Sequence, residues 1–391
     1  MYSEDDINSA VAAGALSAEA AASFRSHISR ARALPRQSEE NFKLINSFND
    51  IFVAIGIVIL LVAVGAIGQA LGGVIAPVET AFEFFNRVPE PSDAQREAWR
   101  AANGYSTGVS AALAGLFVTV TAWPLSEFFT RARRMALPSI LLLLAFVGGA
   151  FVSVFGVGMA LGANVDEGIG ALLIVLSGLI AAGAALLHWR RFQVPITVAA
   201  ATGVAVVSLL FALAGVLQIE PDTPTFLVSV LVAGGVVFTL AMRWDMSDLE
   251  RTTRRSDVAF WMHLVAAPLI AHPVFALIGV TEGVITAGAA FAVLGVYIAF
   301  GLVALAIDRR ALLVSALAYV LFALAFLFRE FGAVELGFAL TALIIGSALL
   351  SLSAFWQTIR AAVVGALPET VQAKLPKPEM VVPLATTRPA L

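Results

Sequence analysis

Two of the four histidines of this chain lie in one apolar stretch, and imidazole is the side chain best suited to move a proton or to bind a metal ion. The residues that stand out in this stretch are Trp261, His263, Pro268, His272 and Pro273. Its two prolines can kink a helix and free backbone carbonyls. The nine-residue spacing of the histidines places them about half a turn apart on an ideal helix, so we do not expect both to bind one metal ion.

Two interpretations of this stretch remain open. In the first, it is a kinked helix whose polar residues face a cavity or another helical hairpin. In the second, the two histidines are neutral and are hydrogen-bonded to neighbouring helices. Neither interpretation includes a metal ion or a cofactor, and we predict none.

The rest of the sequence offers no catalytic pattern. It contains no cysteine, which excludes thiol nucleophiles, iron–sulfur clusters and cysteine-ligated zinc. No glycine-rich phosphate loop follows a strand pattern, and no serine, histidine and aspartate have a spacing that indicates a catalytic triad. The net charge of −3 disfavours nucleic acid as a partner. We therefore predict that the chain is not an enzyme.

Composition indicates that the chain is solvated by a lipid bilayer. Of its 391 residues 60% are hydrophobic and 13% are charged, and the mean hydropathy is +0.91, whereas soluble proteins are about 25% charged. Ten apolar stretches are close to the length of about 20 residues that a helix needs to cross the hydrocarbon core. They cover residues 51–76, 106–127, 137–162, 168–188, 195–218, 225–243, 257–280, 284–307, 311–328 and 336–356. The predicted fold is all-α, a polytopic helical membrane protein with about ten transmembrane helices.

Lysine and arginine predict the orientation of the spans, because cytoplasmic loops are enriched in them. With the N-terminus and the C-terminus both inside, 20 of the 24 lie on the cytoplasmic side. The residues that determine this topology lie in four short turns: Arg131, Arg133, Arg134, Arg190, Arg191, Arg254, Arg255, Arg309 and Arg310. We expect the chain to be a multi-pass protein of the bacterial inner membrane, with the lipid bilayer as its main partner.

Each of the four arginine turns joins an outward-to-inward helix to an inward-to-outward helix. One interpretation is a repeated hairpin whose copies all have the same orientation in the membrane. The other is that any series of hairpins that obeys the positive-inside rule has this pattern. Close helix packing is expected at small residues, namely Gly68, Gly72, Gly148, Gly149, Gly158, Gly162, Gly234 and Gly235.

The spans divide the chain into three regions. Residues 1–50 are predicted to form a cytoplasmic helical region, which could bind a protein partner. Residues 51–357 form the transmembrane bundle, and residues 358–391 form a cytoplasmic proline-rich tail, which we expect to be disordered.

The one long external loop, 77–105, contains an aromatic patch at Phe82, Phe84 and Phe85. A capping-box pattern at Ser92 follows, from which we predict a short helix that ends at Gly104. The patch is either a lid over the bundle or an aromatic anchor at the membrane interface.

The segment Val-Ala-Ala-Gly-Ala-Leu-Ser-Ala-Glu at 11–19, followed by many hydrophobic spans, resembles a family of bacterial polytopic membrane proteins that is defined only as a domain of unknown function. The resemblance covers the layout of the whole chain. It implies a short N-terminal helical piece before a transmembrane bundle. It implies no activity, and it assigns no functional residue.

Two functions are considered. The first is a transporter or permease-like protein that moves a small solute along the stretch that contains His263 and His272. The second is a non-transporting scaffold, assembly factor or sensor that binds a partner through residues 1–50. No span has an acidic or basic residue near its centre, which disfavours coupling to an ion.

Overall fold

The computed structural model describes residues 4–24, 48–77, 79–163, 167–220, 223–251, 253–280, 286–330 and 337–376. These residues form α-helices with two π-helical segments, and they contain no strand. The helices are α1 (Glu4–Ala12), α2 (18–24), α3 (Phe48–Ile75), α4 (Ala81–Arg87), α5 (Asp93–Ser126), α6 (Ala136–Gly158), α7 (Glu167–Phe192), α8 (Ile196–Leu217), α9 (Pro224–Met246), α10 (Arg254–Leu277), α11 (Ala287–Ile307), α12 (Ala311–Glu330), α13 (Gly337–Ala354), α14 (Trp356–Gly365) and α15 (Glu369–Gln372). Helices α1 and α2 belong to a compact unit distinct from that of α3–α15.

Nine helices within the described ranges are long and apolar enough to cross a membrane. They are α3 and α5 through α12, and they correspond to the first nine predicted stretches. The tenth stretch corresponds to α13, which passes the same test only together with α14, and these two helices meet at a bend of 74°. The prediction of an all-α polytopic fold is confirmed. The side of the membrane that each end faces stays a prediction.

The four arginine turns share one backbone feature. Among the described residues, five non-glycine residues have a positive φ angle, and four of them lie in these turns: Arg134, Gln193, Arg251 and Asp308. A left-handed residue at this position redirects the chain after the last helical turn. The four hairpins α5–α6, α7–α8, α9–α10 and α11–α12 each pack as antiparallel pairs. The common turn geometry favours the interpretation as a repeated hairpin.

Helices α3, α5 and α6 approach so closely that their backbones touch at glycines. A Cβ atom added to Gly108 would lie 2.4 Å from the backbone nitrogen of Ala160, and one added to Gly156 would lie 2.4 Å from that of Ala112. Gly115 faces Gly149 in the same way, one heptad further along each helix. Close approach of this kind gives van der Waals contact that lipid tails cannot replace.

Of the eight glycines predicted at close contacts, five have a neighbour that an added Cβ would strike: Gly68, Gly72, Gly149, Gly158 and Gly234. Gly148 and Gly235 face open space, because each is adjacent in sequence to the glycine that faces the neighbouring helix. Gly162 has a φ angle of 91° and is needed for its backbone conformation.

The loop that was predicted to be external packs onto the start of α5. Phe84 stacks on Trp99 with a centroid distance of 5.2 Å, and Phe82 and Phe85 stay exposed. The capping box at Ser92 is present. The predicted helix end at Gly104 is wrong, since α5 continues to Ser126. A glycine inside a helix costs only about 1 kcal/mol, and the apolar residues that follow continue the helical pattern.

In the second half of the bundle, α10 is the central helix. It packs against α8, α9 and α12, and half of its apolar window is buried, a larger share than in any other long span described. The side chains Met262, Ala266, Ala267, Ala271 and Phe275 are 0–1% exposed. Helix α14 packs against α11 and leads the chain back across this end of the bundle.

Candidate functional site: two buried charge clusters

Asp245 is the centre of a buried polar cluster between α9, α10 and the turn that follows α11. Its carboxylate is 2% exposed. It lies 2.9 Å from Nε2 of His263 and accepts hydrogen bonds of 2.6 and 3.3 Å from Arg309. Arg309 also donates to the carbonyl and the hydroxyl of Ser256, at 3.0 and 3.1 Å. We call these four residues the Asp245 cluster.

Asp308 is the centre of a second cluster, adjacent in sequence to the first. Arg251 donates to its carboxylate at 2.7 Å, and the indole nitrogen of Trp356 donates at 2.7 Å. Arg360 lies 3.6 Å from the same carboxylate and donates to the backbone carbonyl of Pro376. We call Asp308, Arg251, Trp356 and Arg360 the Asp308 cluster.

The fourth arginine turn explains why the clusters adjoin. Asp308 has left-handed backbone angles, and its N–H bonds to the carbonyl of Ala304 at the end of α11. This turn directs consecutive side chains to different neighbours, so that Arg309 reaches Asp245 while Arg310 lies over the ring of Trp356 at 4.7 Å. One tight turn therefore connects α9, α10 and α14.

Together the clusters hold more positive than negative charge. Their two carboxylates, Asp245 and Asp308, lie among three guanidinium groups, those of Arg251, Arg309 and Arg360. Burial lowers the pKa of Arg251 from its usual value, although a guanidinium stays protonated. Separation of these pairs inside the protein would leave unpaired buried charge, which costs several kcal/mol. The arrangement can hold elements together strongly, and it can release them only if water replaces the ion pairs.

The two histidines of α10 contact different helices. His263 contacts Asp245 of α9, whereas Nδ1 of His272 lies 2.8 Å from the hydroxyl of Tyr319 in α12. They are not brought together, in agreement with the expected half-turn separation. Nδ1 of His263 is buried and has no hydrogen-bond partner among the described residues. Among all the described residues, no group of three or more histidine, aspartate or glutamate residues is arranged to hold a metal ion.

The other predicted residues of this stretch shape α10 itself. Pro268 and Pro273 both lie inside the helix. Trp261 packs edge-on against Phe260, with a centroid distance of 5.2 Å. Pro273 is buried, whereas Pro268 is exposed.

The arginines used to predict the topology have two different environments. Those of the first three turns are exposed: Arg131, Arg133, Arg134, Arg190, Arg191, Arg254 and Arg255. Arg191 forms a 2.6 Å ion pair with Glu127, and Arg254 donates to Gln193 at 2.9 Å. Arg309 is only 3% exposed, and Arg310 is half-buried. Membrane orientation alone would place arginine in water, so Arg309 has a second role.

Sequence reasoning missed Asp245, Asp308 and Arg360 as site residues. Asp308 lies at the end of a span, a position close to water, yet it is 6% exposed. The sequence offered only a local signal. An acidic and a basic residue are adjacent at Asp308 and Arg309, and Trp356 lies at the end of the tenth apolar stretch. That α14 bends back over the turn could not be read from these residues.

The fold and the two clusters define a multi-pass helical membrane protein with paired charges buried at one end of its second half. No protein-family model, curated protein or solved structure matches this chain. The resemblance noted at 11–19 therefore stays a prediction.

Proposed function

We propose that this chain is a permease-like protein for a small solute, with the Asp245 cluster as its gate at the end of the arginine turns. The observation that carries the proposal is the burial of Asp245 in contact with both α10 and Arg309. Ionisable side chains buried in a membrane bundle are costly and commonly mark a pathway or a switch. A paired cluster at the end of an apolar bundle seals it against water.

Helix α10 is the element that would move. It is central, it contains two prolines, and a proline removes one hydrogen bond of the helical ladder and makes bending easier. If water replaces both the ion pair between Arg309 and Asp245 and the hydrogen bond between His263 and Asp245, α10 loses this polar attachment to α9. Its apolar packing against α12 would remain at the other end. Opening would thus begin at the clusters.

Cysteine accessibility tests the gate without knowledge of the solute, because the chain has no native cysteine. Met262→Cys places a thiol on the buried face of α10. We expect it to resist a membrane-impermeant maleimide, and to react when Asp245→Ala is added. Phe275→Cys, also buried on α10, is the control and should stay protected. Protection of Met262→Cys in both backgrounds would contradict the gate, and reaction of both cysteines would indicate unfolding instead.

Swelling of proteoliposomes measures permeation directly. Vesicles with the Asp245→Ala variant should take up at least one of glycerol, urea or glycine faster than protein-free vesicles. The matched control is Glu127→Ala, which removes the exposed ion pair of another turn. Equal rates for Asp245→Ala and protein-free vesicles with all three solutes would contradict the proposal.

A second candidate is a non-transporting scaffold, assembly factor or sensor. It is favoured by the assignment of α1 and α2 to a compact unit of their own, different from the unit that contains α3–α15. Under this alternative, deletion of residues 1–36 abolishes a cellular phenotype, and the variant His263→Ala/His272→Ala retains it. The permease proposal expects the reverse.

A further inference from the structure

The surface between α3 and α6 contains an apolar groove of about 290 Å³. Its floor is Ala54, which is 6% exposed. Aliphatic side chains form the rest of the lining: Ile51, Ile55, Val58, Ile59, Leu137 and Leu141. No polar side chain contributes to it, so the groove suits a hydrocarbon chain.

The groove starts at the ends of α3 and α6 that lie on the side of the arginine turns. Both helices begin there, at Phe48 and Ala136, and they pack side by side. The lining residues of α3 extend from Ile51 to Ile59, a rise of about 12 Å at 1.5 Å per residue. One leaflet of the hydrocarbon core is about 15 Å thick. The groove therefore has the depth of one leaflet.

Unpaired positive charge lies at the mouth of the groove. Arg133 and Arg134 are exposed and precede Leu137 by only one helical turn. Within the described part of the chain, neither forms a salt bridge, although the Arg133 guanidinium lies 5.4 Å from the Phe128 ring. The neighbouring carboxylate of Glu127 is held by Arg191 at 2.6 Å and Arg131 at 3.4 Å.

Asp50 is the other carboxylate near the mouth, one residue before Ile51. It is 5% exposed and already takes part in a polar interaction within the protein. Arg133 and Arg134, by contrast, are exposed. Arginine binds phosphate groups well because its planar guanidinium donates two parallel hydrogen bonds.

We propose that this groove binds one anionic phospholipid, with an acyl chain along Ala54 and the headgroup phosphate at Arg133 and Arg134. The argument is charge complementarity combined with depth, because two exposed arginines directly precede the helix end at which the apolar groove starts. Basic sites beside transmembrane helices on the cytoplasmic side bind anionic lipid headgroups elsewhere in membrane proteins by the same physics. The proposal does not depend on the gate.

Native mass spectrometry of the full chain tests the site, with dioleoylphosphatidylglycerol as the probe and dioleoylphosphatidylcholine as the neutral reference. We expect one tightly bound phosphatidylglycerol. Arg133→Gln/Arg134→Gln should weaken it roughly tenfold or more, since each arginine near the membrane surface contributes to the attraction of anionic lipid. Arg190→Gln/Arg255→Gln removes the same charge at other exposed turns and should leave this site unchanged.

The groove itself is tested by Ala54→Leu, which fills its floor. The matched control is Ala66→Leu, also on α3 but exposed. Loss of tight binding in Ala54→Leu but not in Ala66→Leu supports the site. Equal loss in the two arginine double variants would overturn it in favour of diffuse attraction. Unchanged binding by Ala54→Leu, or full displacement by soluble glycerophosphoglycerol, would show that no acyl chain occupies the groove and would also overturn it.

Discussion

The turn between α7 and α8 and the turn between α11 and α12 have the same backbone conformation in opposite surroundings. Gln193 and Asp308 have φ angles of 51° and 57°, and each lies three residues before the first residue of the next helix. Around Gln193 the arginines are exposed, and Arg191 forms its ion pair at the surface. Around Asp308 the charges are buried.

The difference arises from what lies next to each turn. Helix α14 places Trp356 and Arg360 against Asp308, and the end of α9 places Asp245 against Arg309. The side chain of Gln193, in contrast, accepts an exposed hydrogen bond from Arg254. One local motif thus fulfils two roles: an exposed arginine turn favours a membrane orientation, and a buried one also joins helices.

Asp245→Ala should show the largest difference in stability between the buried and the exposed turn. It leaves Arg309 buried without its carboxylate, and removal of one partner of a buried ion pair costs about 3–5 kcal/mol. The free energy of unfolding, from titration of detergent micelles with dodecyl sulfate, should fall by that amount. Glu127→Ala, at the exposed pair, should cause no resolvable change. Similar losses for the two variants would mean that burial does not distinguish the turns.

Replacement of each left-handed residue by glycine sharpens the comparison. Asp308→Gly and Gln193→Gly relieve the same backbone conformation, but only the first removes acceptors from Arg251 and Trp356. Asp308→Gly should be less stable than Gln193→Gly by at least about 1.5–3 kcal/mol, the range for one hydrogen bond to a charged group, because two donors lose their acceptor. The same unfolding assay measures it. Equal stabilities would show that Asp308 acts through its backbone alone.

The apolar runs predicted the helices well. Each of the nine long helices contains the core of a predicted stretch, because the bilayer requires long apolar runs and helical backbone hydrogen bonding. The glycines predicted to face a neighbour did so where the helix presents them inward, as at Gly68 and Gly72. Gly104 misled the prediction because a glycine can either end a helix or lie inside it.

The charge clusters were beyond prediction because they depend on contacts between distant segments. Asp245 and Arg309 are 64 residues apart, and Asp308 and Trp356 are 48 apart. A carboxylate at the end of a span is exposed unless another element covers it. The 74° bend that directs α14 over Asp308 follows no proline or glycine in the sequence. Tertiary contacts decide such burial, and the sequence pattern does not contain them.

Gly115→Ala tests the other way in which this chain joins its helices, by backbone contact in the first half rather than by charge in the second. The added Cβ would lie 2.5 Å from the carbonyl oxygen of Gly149 and from the backbone nitrogen of Ser153, so α5 and α6 must separate. Overpacking of this kind typically costs about 1–3 kcal/mol. Gly148→Ala adds the same atom where nothing lies within 4 Å and should not destabilise the protein. If both variants lose stability equally in the unfolding assay, then helix contact at glycine is not what joins the first half, and the contrast between the two halves fails.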